Sequence, residues 1–170
     1  AVAKRYQMDS DILQEVLSHY TVNNGRMEAF QMGSNDVTLN LAKNPVGANM
    51  TLRVMNEMQG EKELLFVLND NIADGLDVSW IWDINFSTFR NVTRVVTSGT
   101  RAYDIAVRIK CSGYDARNIV VRPDLDEAVA ELNTTQGKKF VIANYTAVQP
   151  TRSALQRWIA HHGGAAHETN

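Results

Sequence analysis

The chain has 170 residues, 44% of them hydrophobic and 21% charged, with a formal net charge of −2, a balance that suits one globular domain with its own core. It lacks the basic surplus that marks a nucleic-acid partner; its single cysteine, Cys111, excludes an internal disulfide and leaves no clustered ligands for a structural metal. No apolar run approaches the roughly 20 residues of a membrane helix, and the opening Ala-Val-Ala-Lys-Arg has no signal-peptide core, so a cytoplasmic setting and a fragment or processed product are expected.

Along the chain, Asp9 or Ser10 caps a lead-in helix bearing Ile12, Leu13, Val16, Leu17 and Tyr20, with Asn23-Asn24-Gly25 as its stop. Residues 27–32 and 37–41 read as a strand pair around the turn Gly33-Ser34-Asn35-Asp36. Asn44-Pro45 then starts a helix whose inward face is expected at Val46, Met50, Val54 and Met58. A buried strand over 63–68 precedes a polar loop. A strand over 92–97 follows, ended by Ser98-Gly99-Thr100, and then a helix with the stripe Ala102, Ile105, Ala106 and Ile109. The pattern repeats as strand 118–121 with a helix capped by Asp124, and strand 140–143 with a helix bearing Leu155, Trp158 and Ile159. Alternating strands and helices predict an α/β domain with a mostly parallel, doubly wound, Rossmann-like sheet. The expected divisions are a linker helix over 1–24, the domain over 25–160 and a polar, disordered tail over 161–170. Ligands of such sheets sit beyond the carboxyl ends of the strands, near Asn40, Asn69, Ser98, Arg122 and Asn144.

One of these positions is dense in chemistry. The segment from Leu68 to Asp83 carries four carboxylates, Asp70, Asp74, Asp77 and Asp83, with Trp80 and Trp82. Asp70 and Asn71 are placed to orient a donor or a substrate amine, and Asp74 and Asp77 to poise a partner's histidine. The alternative is a turn in which Asp and Asn cap local structure and the tryptophans are core. No P-loop pattern occurs. Ser98-Gly99-Thr100-Arg101 reads either as an anion site at a helix N-terminus or as an ordinary cap. Arg26 and Lys43 are cations at the ligand rim or solvated surface charges. Cys111 reads as a structural thiol, and His19, His161, His162 and His167 form no metal-ligand spacing.

Taken in order, Gly25-Arg26-Met27-Glu28, Asn40-Leu41-Ala42-Lys43-Asn44-Pro45 and Asp70-Asn71 resemble the Gly-Arg-Met-Glu, Asp-Tyr-Ala-His-Asn-Pro and Asp-Asn-Pro-Arg motifs of the Mur ligase C-terminal domain. The strings over 69–83, 98–104 and 144–147 resemble more specifically the Mur-ligase-like (MurT-type) subunits of lipid II isoglutaminyl synthases. That resemblance implies ATP-dependent amidation of the D-glutamate α-carboxyl of the peptidoglycan stem peptide carried on lipid II, with Mg2+ and ATP held mostly by a separate central domain. It further implies a glutaminase (GatD-type) partner whose cysteine–histidine pair is completed by an aspartate of this domain: Asp70 first, with Asp74 and Asp77 as alternates. Asn71, Arg26 and Lys43 become substrate-binding residues, Arg26 reaching toward the ATP phosphates, while an isolated domain is expected to be inactive. Asn40 and Lys43 replace the Asp and His of ordinary Mur ligases, whose roles there do not carry over. Three other readings stand beside this one: a docking domain anchored by Trp80 and Trp82, the C-terminal domain of another Mur-type amino-acid ligase, and an unrelated nucleotide-binding domain.

Overall fold

A computed structural model describes residues 9–18 and 25–162. Helix α1 (Ser10–Ser18) is capped as expected, the Asp11 N–H donating to Asp9 Oδ1 at 2.8 Å; Tyr20, Asn23 and Asn24 lie outside the described residues. Strands β1 (Glu28–Met32) and β2 (Asn35–Leu41) form an antiparallel hairpin in the register Met32↔Asn35. The turn is thus Gly33-Ser34 alone, with Gly33 at φ +60°, shorter than expected. Asn35 reads as a turn residue but is buried in the strand. Its amide donates to Asn133 Oδ1 and the Thr135 carbonyl and accepts from the Gly137 N–H.

Helix α2 (Pro45–Glu57) begins at Asn44, whose Oδ1 accepts the Gly47 N–H at 2.9 Å. Its buried face is Ala48, Thr51, Leu52 and Met55, whereas Val46 and Met50 are exposed, which corrects the expected stripe. Hydropathy misleads here because the face toward the sheet carries a small and a hydroxyl-bearing residue. Thr51 stays satisfied inside by donating to the Gly47 carbonyl and accepting from Asn40 Nδ2. The remaining elements are β3 (Lys62–Val67), β4 (Val92–Ser98), α3 (Ala102–Cys111), β5 (Ile119–Val121), α4 (Leu125–Leu132), β6 (Lys138–Ala143) and α5 (Tyr145–His162). Short 3-10 turns at Ile72–Asp74, Ser79–Asp83 and Phe86–Thr88 occupy the long β3–β4 connection. His161 and His162 belong to α5 rather than to a disordered tail.

The sheet order is β1-β2-β6-β3-β4-β5, parallel except for the β1–β2 hairpin, so the expected mostly parallel, doubly wound sheet is what forms. β3 is buried at every position, as a central strand covered on both faces must be. One face packs Leu65, Val67, Val96 and Val141 against α4 and α5; the other packs Leu64, Phe66, Val95 and Ile142 against α2, α3 and Ile81, Ile84 and Phe86 of the long connection. The α3 stripe is buried at Ala102, Ile105, Ala106 and Ile109, as expected, and Asp124 caps α4 through the Glu127 N–H. Among the described residues no helix is long and apolar enough to cross a membrane.

The amino ends of the central strands bury charge. Lys139 Nζ lies 3.0 Å from Glu63 Oε2 and donates to Thr135 Oγ1 at 2.8 Å, while the Thr135 hydroxyl donates to Glu63 Oε1. Both charged side chains are nearly inaccessible. Beside them Lys62 donates to the Gly60 and Arg90 carbonyls, and burial lowers its ammonium pKa from 10.5. A buried pair is held by mutual need: removing one partner leaves the other uncompensated in a poor solvent for charge. Lys139→Met should therefore lower unfolding stability by about 3–5 kcal/mol in urea titration. Lys139→Met combined with Glu63→Met should recover most of that loss; a double variant no more stable than the single one contradicts the pairing.

Candidate functional site

Because β2, β6, β3, β4 and β5 are parallel, their carboxyl ends share one edge, and β1, antiparallel to β2 with Glu28 opposite Leu39, starts from that same edge. The rim therefore gathers Arg26, Lys43, Asn144 to Thr146, the loop after β3, Gly99 to Arg101 and Arg122. Five of the six expected site residues, Arg26, Lys43, Asp70, Asn71 and Asp74, lie there, and Asp77 follows three residues further along the loop. The two cations lie toward the β1–β2 side and the aspartates toward β3 and β4; no ion pair joins the two groups.

The loop is built outward from Asn144. This residue is 2% exposed; its Oδ1 accepts the Asn69 N–H at 3.0 Å and its Nδ2 donates to the Asn69 carbonyl at 2.7 Å. An amide side chain thus takes both backbone groups of Asn69, as a neighbouring strand would. Gly99 closes the other side. At φ +90°, a Cβ there would stand 2.5 Å from the Leu68 carbonyl oxygen and 2.7 Å from Asn69 Oδ1, so only glycine lets the two loops meet.

Each aspartate then has a distinct surrounding. Asp70 accepts from the Thr100 hydroxyl at 2.7 Å through Oδ1 and from Arg101 Nε at 2.8 Å through Oδ2. The Thr100 hydroxyl first, with Arg101 behind it, holds this carboxyl below its ordinary 3.8. Asp74 accepts the Thr146 N–H at 2.8 Å and the Thr146 hydroxyl, and so caps the start of α5 from another segment. The same Thr146 oxygen accepts from Asn71 Nδ2 at 2.8 Å. Asp77 is exposed and accepts the Ser79 N–H at 2.8 Å through Oδ1; that backbone bond first, with the Ser79 side chain, lowers its carboxyl pKa from 3.8. The turn-forming alternative is thus realised locally at Asp77, while Asp70 and Asp74 make long-range contacts.

Arg26 and Lys43 are exposed and make no ion pair among the described residues. At the helix N-terminus Gly99 N–H donates to the Pro123 carbonyl, Thr100 N–H to Asn69 Oδ1 and Arg101 N–H to the Leu68 carbonyl, so these three backbone donors are taken within the chain. Neither Ser98 nor Thr100 caps the helix: the first helical turn has no side-chain cap. Trp80 is partly buried against the core, whereas Trp82 is 54% exposed under the Arg108 guanidinium, 5.4 Å from its ring centre. Trp82 and Ile81 border a groove of about 230 Å³ whose far side is Tyr103, Asp104 and Val107 of α3. Cys111 is exposed at the end of α3, not enclosed as a structural thiol. His162 stacks on Trp158, and His19 and His167 lie outside the described residues. No group of three or more His, Cys, Asp or Glu able to hold a metal occurs among the described residues.

Sequence reasoning gave no individual role to Asn144, Thr146, Thr100 or Arg101, although all four stand in the strings that carry the family resemblance. Their signal was chemical: Asn and Thr at strand ends, where side chains replace a ladder that has run out.

The family described as MurT ligase C-terminal matches residues 41–148. The lipid II isoglutaminyl synthase (glutamine-hydrolyzing) subunit MurT of Staphylococcus aureus (strain COL) is 34% identical over 158 residues, which are 92% of this chain and 36% of that protein. The chain thus spans about a third of the length of this relative. In solved structures the same fold recurs in UDP-N-acetylmuramate-alanine ligase MurC from Thermotoga maritima, at a TM-score of 0.69 and 12% identity over 95% of this chain and 35% of that one. It recurs also in the MurF ligase of Thermotoga maritima solved in complex with ADP, at 0.65 and 12% identity over 94% of this chain and 36% of that one. The order of its motifs, the rim they build and these matches agree: the chain belongs to the MurT ligase C-terminal family.

Proposed function

We propose that residues 25–160 are the C-terminal domain of the Mur-ligase-like subunit of a glutamine-hydrolysing lipid II isoglutaminyl synthase, with 1–24 leading in from a central domain. The whole enzyme is then a cytoplasmic, ATP-dependent carbon–nitrogen ligase of cell-wall synthesis. Its chemistry replaces the D-glutamate α-carboxylate by an amide, with ammonia released from glutamine by a GatD-type glutaminase partner. Lipid II brings the enzyme to the membrane surface without a span of its own. ATP with Mg2+ supplies the activation of the carboxyl group when bound. Arg26 and Lys43, exposed cations on the rim with no ion pair among the described residues, suit its phosphates. Asn71, its Nδ2 tied to Thr146, turns its other amide atom to a substrate amine.

The observation that carries this reading is the set of carboxylates on the loop after β3. A carboxylate that completes a partner's triad must remain ionised, reach the partner and have an oxygen to offer the imidazole N–H. Asp70 has both oxygens engaged and its charge balanced by Arg101; Asp74 has both engaged by Thr146. Asp77 is exposed and, among the described residues, forms no ion pair and is held only by Ser79. We therefore assign the triad role to Asp77 ahead of Asp70, with Asp74 and Asp70 building the loop that presents it. The docking reading is favoured by a second observation: Leu76, Trp82, Tyr103 and Val107 are exposed apolar side chains close to the same loop, and aromatic anchors of this type dominate binding energy at interfaces.

In the complete enzyme assembled with its glutaminase, Asp77→Asn should reduce the rate of glutamine hydrolysis by about 10²- to 10⁴-fold without weakening subunit binding. Hydrolysis that persists in Asp77→Asn but fails in Asp70→Asn restores the first expectation. Hydrolysis that survives every aspartate change, with binding lost in Trp82→Ala, leaves docking as the function.

A separate test concerns Asp70. Its lowered carboxyl pKa means that the stabilisation it contributes is present above 3.8 and fades as pH falls through the lower, folded value. Thr100→Val removes the leading cause, so carboxyl titration followed by NMR should show Asp70 moving back up toward 3.8. An unmoved titration would mean that Thr100 does not hold it.

A further inference from the structure

The bend over residues 25–28 is more elaborate than the entry to a strand requires. Gly25 and Met27 both adopt left-handed backbone, at φ +74° and +49°, a region that side chains other than glycine rarely enter. A Cβ on Gly25 would stand 2.2 Å from Val148 Cγ2, so α5 packs directly on the bend. Strain of this kind persists only where the surroundings over-determine it, and here they do. The Glu28 carboxylate accepts from Arg152 Nε at 2.9 and 3.0 Å, from Arg152 Nη2 at 2.7 Å and from the Gly25 N–H at 3.2 Å. Arg152 Nη1 donates to Gln149 Oε1 on its own helix. The Met27 N–H donates to Asn40 Oδ1 at 3.1 Å, and the Gly25 carbonyl accepts from the Leu41 N–H.

The bonds to the Gly25 N–H, the Gly25 carbonyl and the Met27 N–H fix backbone on both sides of Arg26, and none of these contacts engages its side chain. The ion pair has a second effect. Glu28 lies two residues from Arg26 and is the nearest acidic side chain in sequence; left unpaired, it would draw the Arg26 guanidinium onto itself. With the fork of Arg152 across both oxygens, and only 17% and 25% of the two side chains exposed, the carboxylate is already neutralised.

We infer that Arg152, acting through Glu28, is a positioning residue that holds the left-handed bend and keeps Arg26 free to contact a phosphate-bearing ligand at the rim. This rests on the reading of Arg26 as a contact to the ATP phosphates. Arg152 touches no ligand itself; its guanidinium planarity matters because a bidentate grip sets both the distance and the orientation of the carboxylate.

The test uses the full-length subunit with its glutaminase partner. Titration calorimetry measures binding of a non-hydrolysable ATP analogue with Mg2+, beside a thermal melt and subunit affinity. Arg26→Ala should weaken analogue binding about tenfold or more, as loss of a charge-assisted hydrogen bond does. Arg152→Met should give a comparable loss, and the double variant should be no worse than Arg26→Ala alone, because both changes remove one contact. Arg152→Lys keeps the charge without the fork and should fall between; it also serves if Arg152→Met does not fold. Unchanged binding in Arg26→Ala overturns the phosphate reading itself. Weakened binding in Arg26→Ala with none in Arg152→Met or Arg152→Lys overturns the positioning role alone, as do losses that add in the double variant.

Discussion

Past the ends of β3 and β6 the backbone ladder stops, and the buried amide of Asn144 takes its place by bonding both the N–H and the carbonyl of Asn69. An unpaired buried peptide group costs on the order of 1–3 kcal/mol, so this side chain decides whether the chain leaves the sheet in one direction or in many. The first half of the acidic loop follows from it: the Asn69 side chain receives the Thr100 N–H, Asp74 caps the start of α5 at Thr146, and Asp70 meets Thr100 and Arg101. The stretch from Asn69 to Asp74 is thereby tied to the segment after β4 and to the start of α5, and Asp77 follows three residues on, held by Ser79. A carboxylate offered across a subunit boundary is useful only at a defined place.

The two ends of the sheet handle charge in opposite ways. At the amino ends Glu63 and Lys139 are enclosed and bonded to one another and to Thr135, which serves the fold and leaves nothing to offer. At the carboxyl ends the helices stand back, and Arg26, Lys43 and Asp77 reach solvent. The first turns of α5 link the two halves of that rim: Thr146 holds the acidic loop, while Val148 and Arg152 hold the cationic bend. One helix end thus sets the geometry of both groups of candidate residues.

Much of this was legible in the sequence wherever one physical pattern dominated. The apolar run from Leu64 to Leu68 and the stripe of α3 announced a buried strand and a covering helix, and Asp124 behind proline announced the α4 cap. Legibility failed where a polar or small residue does buried work. Thr51 and Ala48 form the inward face of α2 while Val46 and Met50 point out, and Asn35 anchors a distant loop instead of turning its own. At the site, sequence order identified the loop, but not the partners of its carboxylates. Those lie 30 and 72 residues away, at Thr100 and Thr146, and local spacing carries no information about them.

The shared triad requires the Asp77 carboxylate to meet the imidazole of the glutaminase. NMR titration of that histidine in the assembled enzyme, with Asp77 intact and with Asp77→Asn, tests this most directly, because a neighbouring carboxylate raises an imidazole pKa and its neutral amide does not. The expected result is a histidine pKa lower in the variant by about one unit. The same pKa in both proteins would show that Asp77 and the imidazole never meet.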